Sequence, residues 1–108
     1  MTYPVRRRAE VEEDILRQAS WIGRNSLDAA LRFLESVEET ISSLRTMPGR
    51  GSLKRLKSHR SGNIRSWAVN HFPNHLILYE IQDEIVLVWA VIHGAMNYPR
   101  LLRERMSP

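Results

Sequence analysis

The residues of this sequence whose types could support chemistry are a few proton-transfer groups and cations, and they are widely spaced. His93 and Tyr98 could transfer a proton, and Arg65 could hold a phosphate or the carboxylate of a partner. A histidine hydrogen-bonded at a strand end and an arginine exposed at a sheet edge would explain two of these residues without any catalytic role. The three residues are therefore candidates, and the sequence leaves the catalytic residues unassigned.

Common catalytic and metal-binding motifs are missing from the sequence. It contains no G-x-x-x-x-G-K phosphate loop, no G-x-S-x-G nucleophile turn and no H-E-x-x-H zinc helix. The four histidines are scattered, and there is no cysteine to supply a thiolate ligand or a disulfide. We therefore expect a protein that uses no metal and no cofactor.

Charge is segregated along the chain. Residues 1–39 carry eight acids and six Lys or Arg, whereas residues 40–79 carry no acid and seven Lys or Arg. Such segregation predicts a positive face that binds an anionic partner, either nucleic acid or an acidic protein segment. The residues predicted to form this face are Arg50, Lys54, Arg55, Lys57, Arg60 and Arg65.

The element that must position these groups is a hairpin from His75 to Gly94. Two apolar runs meet at Gln82-Asp83, where the aspartate tolerates the backbone of a tight turn. The second run, Ile85 to Ile92, is apolar at every position and rich in β-branched residues, which favours a strand over a helix. A strand without a polar face must be covered on both sides or lie at the centre of its sheet.

Two amphipathic helices precede the hairpin and can cover it. Apolar residues recur at helical spacing from Ala9 to Arg24, and again after Ser26, a plausible N-cap. The second helix presents a continuous apolar seam that Phe33 widens: Leu27, Ala30, Leu34, Val37, Ile41 and Leu44. The core is predicted to contain Ile15, Leu34, Val37, Ile41, Leu78, Val86, Val88 and Val91.

Shorter segments complete the predicted fold. Tyr3 to Arg7 is predicted to be a strand that Pro4 confines to a sheet edge or a strand start, and Ile64 to Val69 is predicted to be another. A turn is expected at Phe72-Pro73-Asn74, and a short helix near the end of the chain. The order β-α-α-β-β-β predicts an α+β fold, with a helical hairpin on an antiparallel sheet of three or four strands.

Length and hydropathy limit the organisation of the chain. The 108 residues are expected to form one domain, 1–108, with a short C-terminal tail at 95–108. No apolar run approaches the roughly 20 residues of a membrane span, and the N-terminus lacks the apolar core of a signal peptide. We therefore expect a cytoplasmic protein that does not associate with a membrane.

The sequence resembles the ParE/RelE superfamily of bacterial toxins from type II toxin–antitoxin, or plasmid stabilisation, modules. The resemblance extends over nearly the whole chain and rests on short segments that occur in the same order. These segments are the Ala9-Glu10 helix opening, the Met47-Pro48 helix stop, Ile64-Arg65-Ser66, Leu78-Tyr79-Glu80-Ile81, Val91-Ile92-His93-Gly94-Ala95 and Leu101-Leu102.

The resemblance implies partners as well as a fold. It implies a tight complex with a small ParD-like antitoxin, whose C-terminal segment wraps the toxin. The residues expected to contact that antitoxin are Trp21, Leu27, Phe33 and Leu34. RelE-like members cleave mRNA on the ribosome, whereas ParE-like members inhibit DNA gyrase.

One position distinguishes between the two targets. Members often continue the His-Gly-Ala segment with an arginine, which in RelE-like enzymes helps to stabilise the phosphate, but this chain has Met96 there. The interpretation favoured by the sequence is therefore a ParE-like gyrase inhibitor that is not an enzyme. A RelE-like endoribonuclease and a stand-alone RNA-binding domain remain the alternatives.

Overall fold

The computed structural model describes residues 2–54, 63–94 and 96–107, which form three helices and five strands with one 3-10 turn at Pro48–Arg50. The helices are α1 (Glu10–Gly23), α2 (Leu27–Ser43) and α3 (Tyr98–Met106). The strands are β1 (Val5–Arg7), β2 (Ser52–Leu53), β3 (Arg65–Val69), β4 (Phe72–Gln82) and β5 (Ile85–His93). The α+β class confirms the fold expected from the sequence, and the predicted β-α-α-β-β-β order is found with one additional strand, β2.

The sheet is mixed, with the strand order β1-β5-β4-β3-β2. Strands β2 to β5 are antiparallel neighbours, whereas β1 runs parallel to β5. The prediction of a wholly antiparallel sheet is therefore wrong for the β1–β5 pair, and β2 was not anticipated. A parallel pair needs a long connection, and here both helices and three strands separate β1 from β5 along the chain. The expected edge position of β1 is confirmed.

Each face of the sheet is covered by helices. Helices α1 and α2 bury one face in a core that includes Val11, Phe33, Val37, Val86 and Val88. Helix α3 buries Leu102 against the opposite face, with Ile64, Leu78, Ala90 and Ile92. The apolar residues of β5 are thus divided between two cores, which confirms the covering predicted from its sequence.

Helix α2 is rotated slightly from the predicted seam. Ser26 caps it as expected, because the Ser26 hydroxyl accepts a hydrogen bond from the Ala29 N–H at 3.1 Å. Phe33 is fully buried, whereas Leu34 is half-buried and Leu27 is exposed. Leu34 is therefore the one predicted core residue that is not fully enclosed, although it packs against the core.

Both hairpin turns lie one or two residues from the predicted positions. Gln82 pairs with Ile85, so the β4–β5 turn is Asp83-Glu84, and both turn residues have positive φ angles (50° and 64°). At the other end of β4, the turn is Asn70-His71, with φ 66° at His71. The predicted turn at residues 72–74 is wrong because His71 already reverses the chain, and β4 begins at Phe72.

The C-terminal half of β5 has no neighbouring strand on the β1 side. The last ladder bond there is from the Arg8 N–H to the Val88 carbonyl at 3.0 Å. Beyond it, side chains replace the missing strand: Asp14 Oδ2 accepts from the Val91 N–H at 3.0 Å, and Gln18 Nε2 donates to the Val91 carbonyl at 2.7 Å. Arg105 Nη1 donates to the Trp89 carbonyl at 3.0 Å. These bonds satisfy an edge that would otherwise be buried and unpaired.

In the described part of the chain, no helix has the length and apolar character needed to cross a bilayer.

Candidate functional site

A cavity of about 400 Å³ lies between α1 and the adjoining ends of β4 and β5. Its lining residues are Arg17, Gln18, Trp21, His75 and His93. His75 and His93 are directly paired across the two strands, and their rings meet edge to face with centroids 5.1 Å apart. The cavity therefore combines an indole, two imidazoles and a guanidinium beside the helical hairpin.

His75 is held in one tautomer by its neighbours. Because Gln18 donates its amide N–H to the Val91 carbonyl, the amide oxygen of Gln18 must accept from His75 Nδ1, 2.7 Å away. Burial lowers the pKa of His75, and the charge of His93 lowers it further. His75 is thus a neutral structural residue near pH 7, with its ring tilted by 59° against Phe33 and packed edge to face against Phe72.

The outer side of the helical hairpin exposes four large apolar side chains, and we call this surface the outer helical face. It consists of Leu16, Trp21, Leu27 and Leu31, whose exposed fractions are 57%, 62%, 71% and 54%. Two of them, Trp21 and Leu27, were predicted from the sequence to contact a partner. Leu31 was missed, although it follows Leu27 by one helical turn, and Leu16 was missed because it falls outside the apolar stripe of α1.

Cations accompany this apolar surface. The Arg24 guanidinium lies 5.0 Å from the centre of the Trp21 ring, and Arg17 lines the cavity next to Trp21. Arg32 on α2 is two-thirds exposed and forms an ion pair with Asp28 at 3.4 Å. Phe33, which was also predicted to contact a partner, lies in the core and takes no part in this surface.

The predicted basic face is described only in part, because Arg55, Lys57 and Arg60 lie outside the described residues. Arg50 stacks over the Trp67 ring at 4.4 Å, and Lys54 Nζ lies 5.8 Å from the centre of the Tyr98 ring. Arg65 Nη1 donates to the carbonyls of Gly49 and Gly51 at 3.1 and 2.8 Å. Arg65 therefore fastens the 3-10 turn to β3.

Tyr79 also forms hydrogen bonds to the 3-10 turn and the residue that follows it. Its hydroxyl donates to the Pro48 carbonyl at 2.6 Å and accepts from the Gly51 N–H at 3.0 Å. Burial raises the pKa of Tyr79 above its ordinary value of 10.0. Gly51 permits this contact, since a Cβ at that position would lie 2.5 Å from the Tyr79 hydroxyl.

The three candidate catalytic residues are not brought together. Arg65 pairs with Tyr79, and His93 pairs with His75. Arg65 and His93 therefore share a face of the sheet, but their partners on β4 are four residues, or about 13 Å, apart. Tyr98 packs against the core under α3, on the opposite face of the sheet. The fold therefore does not bring Arg65, His93 and Tyr98 around one substrate atom.

Comparison with known proteins gives a family. The family described as "ParE toxin of type II toxin-antitoxin system, parDE" matches residues 5–98. A solved structure, "Chromosomal ParDE TA system from P. aeruginosa", has a similar fold, with a TM-score of 0.67 at 8% sequence identity. The alignment covers 85% of this chain and 96% of that one. No curated protein matches the sequence. The family match extends over most of the sequence, so the chain belongs to the ParE toxin family and is the toxin component of a type II toxin–antitoxin system.

Proposed function

We propose that the toxin inhibits DNA gyrase in the cytoplasm and that a ParD-like antitoxin neutralises it by covering the outer helical face. The observation that supports gyrase over mRNA as the target is the separation of Arg65, His93 and Tyr98. Cleavage of RNA by its own 2′-hydroxyl needs a base, an acid and a cation at the same phosphate. A toxin that acts by binding gyrase needs no such arrangement.

The position after the His-Gly-Ala segment agrees with this choice. Met96 replaces the arginine that a RelE-like enzyme would use there, and its side chain packs against the core under α3. Arg65, the strand arginine of the family pattern, is bonded to two backbone carbonyls. Neither residue supplies a cation beside His93, and the guanidinium that lines the cavity with His93 belongs to Arg17.

The outer helical face supports the antitoxin part of the proposal. Four large apolar side chains are more than half exposed on two adjacent helices, and exposed apolar residues in such numbers are typical of a protein interface. Trp21 borders a cavity that can receive an apolar anchor from the partner. Arg17 and Arg24 lie beside Trp21, so the proposed complementary segment is an amphipathic helix with acidic residues beside its apolar stripe.

The target can be tested by expressing the toxin and following two consequences in the same cells. We expect gyrase-dependent DNA breaks or loss of supercoiling, with intact mRNA 5′ ends. Codon-positioned mRNA cuts that disappear in a folded Arg65→Ala variant would instead establish the endoribonuclease. Harmless expression, with steeply salt-dependent binding to any RNA, would indicate a stand-alone RNA-binding domain.

The antitoxin surface can be tested with two leucines of equal exposure. Leu31 on the outer helical face is 54% exposed, and Leu53 on β2 is 53% exposed. We expect Leu31→Asp to weaken binding of the antitoxin encoded beside the toxin gene by about 100-fold, as for loss of an interface anchor. Leu53→Asp should change the affinity less than about threefold. Equal losses in calorimetric titrations of the two variants would place the interface elsewhere.

A further inference from the structure

A buried carboxylate borders a second cavity on the α3 side of the sheet. Glu80 is 5% exposed, and its neighbours around a cavity of about 220 Å³ are Gln82, Trp89 and Met106. Small-molecule sites usually start at about 300 Å³, so this cavity is suited to a single side chain. We call it the Glu80 cavity.

The hydrogen-bond partners of Glu80 are neutral. Its Oε1 accepts from the Trp89 indole N–H at 2.8 Å and from the Gln82 amide at 3.3 Å. Among the described residues, no Lys or Arg nitrogen lies within 4.0 Å of its carboxylate. Arg8 is close by, but its guanidinium lies over the Trp89 ring at 5.0 Å. A cation that enters the cavity would be the first Lys or Arg group in contact with this carboxylate among the described residues.

We propose that the Glu80 cavity binds an arginine side chain of a partner protein. A guanidinium is planar and weakly hydrated, and it can donate to the Glu80 carboxylate and the Gln82 amide oxygen at the same time. Met106 provides an apolar wall for its methylene stem. A guanine base is less suitable because it is neutral and needs an open aromatic face, whereas Arg8 already lies over Trp89.

This site is separate from the proposed antitoxin surface. Leu78 and Glu80 are two residues apart on β4 and therefore point to the same face, which α3 covers, whereas α1 and α2 cover the other. Met106 also lies beyond residue 98, where the family match ends. The Glu80 cavity can therefore be tested without reference to gyrase or to the outer helical face.

The experiment is an NMR titration of the full chain that follows the indole N–H signals. The sequence has three tryptophans, and a Trp89→Phe variant identifies the Trp89 signal. The probe is N-acetyl-arginine methylamide, and the citrulline analogue, which is nearly isosteric but neutral, is its matched control. We expect the Trp89 signal to shift saturably with arginine, with a Kd on the order of 1 mM for so small a ligand, and not with citrulline.

Two variants isolate the charge of Glu80. Glu80→Gln keeps an oxygen for the Trp89 indole and should weaken arginine binding at least about tenfold. The control is Glu104→Gln, because the Glu104 side chain is 65% exposed on α3. This variant should leave arginine binding unchanged. Absence of a saturable shift, equal binding of citrulline, equal affinity in Glu80→Gln, or preferential binding of GMP would each overturn the proposal.

Repeating the titration on the complex with its antitoxin identifies the source of the arginine. If the antitoxin supplies the residue, the probe no longer shifts the Trp89 signal once the complex has formed. If another protein such as the target supplies it, the probe binds the complex as it binds the free chain. If the toxin does not inhibit gyrase but its Trp89 signal still shifts with arginine, the proposed function fails and this inference stands.

Discussion

Asp14 is the residue that connects the most distant parts of the chain. Its carboxylate is 1% exposed and accepts hydrogen bonds from the Val91 N–H, 77 residues away, and from Arg105, 91 residues away. Arg105 binds both carboxylate oxygens, at 2.6 and 2.7 Å. One side chain on α1 thus completes the edge of β5 and holds α3 in place.

The sequence could not assign this role to Asp14. It follows Glu10, Glu12 and Glu13 at the start of a helix, where the helix dipole is a sufficient explanation for acidic residues. Its partners are remote in sequence, and hydrogen bonds to a backbone N–H leave no signature in residue types. Arg105, similarly, lies among the exposed charges of the C-terminal helix.

Removing the charge of Asp14 should destabilise the fold strongly. Asp14→Asn keeps the size of the side chain but leaves the Arg105 guanidinium without its counter-charge, which we expect to cost about 3 kcal/mol in urea unfolding. Glu104→Gln breaks an exposed pair with Arg100 and should cost less than about 0.5 kcal/mol. Similar unfolding midpoints for the two variants would contradict the role of Asp14.

The stability of the protein should decrease on mild acidification because of His75. Burial, with the charge of His93 as a second cause, lowers the pKa of His75 in the folded state below its ordinary 6.5. The unfolded chain therefore binds the proton first, so this contribution is fully present above the unfolded pKa and is lost as the pH falls below it. Each unit of pKa difference corresponds to about 1.4 kcal/mol.

This pH dependence can be measured by urea unfolding at about pH 7.5 and about pH 5.5, on either side of the ordinary histidine pKa. The midpoint should be lower at the acidic pH. His93→Gln removes the second cause of the shift and should therefore reduce the difference between the two midpoints. A midpoint that rises on acidification would mean that protonation of His75 does not oppose folding.

At the scale of elements, β5 shows how much a local pattern can predict. Its uninterrupted apolar run required cover on both faces, and the structure provides α1 and α2 on one side and α3 on the other. The same pattern carries no information about whether a neighbouring strand is parallel. The direction of β1 follows from where the helical hairpin returns the chain, which depends on long-range packing.

The outer helical face was predicted only in part, again because a local pattern leaves long-range packing undetermined. An apolar seam with a period of 3.6 residues shows which side of a helix is buried, but a small rotation decides between adjacent residues. Phe33 is therefore in the core, while Leu27 and Leu31 are exposed. The Glu80 cavity was not predicted, because its lining residues come from two strands and α3.

Helix α3 should contribute to stability as well as cover β5. Leu102 is completely buried between α3 and the sheet, so Leu102→Ala should lower the free energy of unfolding by about 2–4 kcal/mol. Leu16→Ala, at a site that is 57% exposed, should change it by less than about 0.5 kcal/mol. If Leu102→Ala were equally harmless, α3 would not be docked as described.

At the scale of the whole molecule, the two sides of the sheet differ in what they present. The helical hairpin side presents exposed apolar residues with two arginines beside Trp21, and the α3 side presents a carboxylate in a cavity bordered by Trp89 and Met106. The resemblance to toxins was evident in the sequence because short segments occurred in a fixed order. The separation of Arg65, His93 and Tyr98 was not evident, because only the fold shows whether residues that are dispersed in the sequence meet.

The most direct test of the central claim is DNA supercoiling by purified gyrase in the presence of the purified toxin. Because the toxin is expected to act by binding gyrase rather than by cleaving RNA, supercoiling of a relaxed plasmid should fall as its concentration rises. Addition of an equimolar amount of the antitoxin should restore it. Full supercoiling at an excess of folded toxin, together with cleavage of mRNA on ribosomes by the same preparation, would contradict the account.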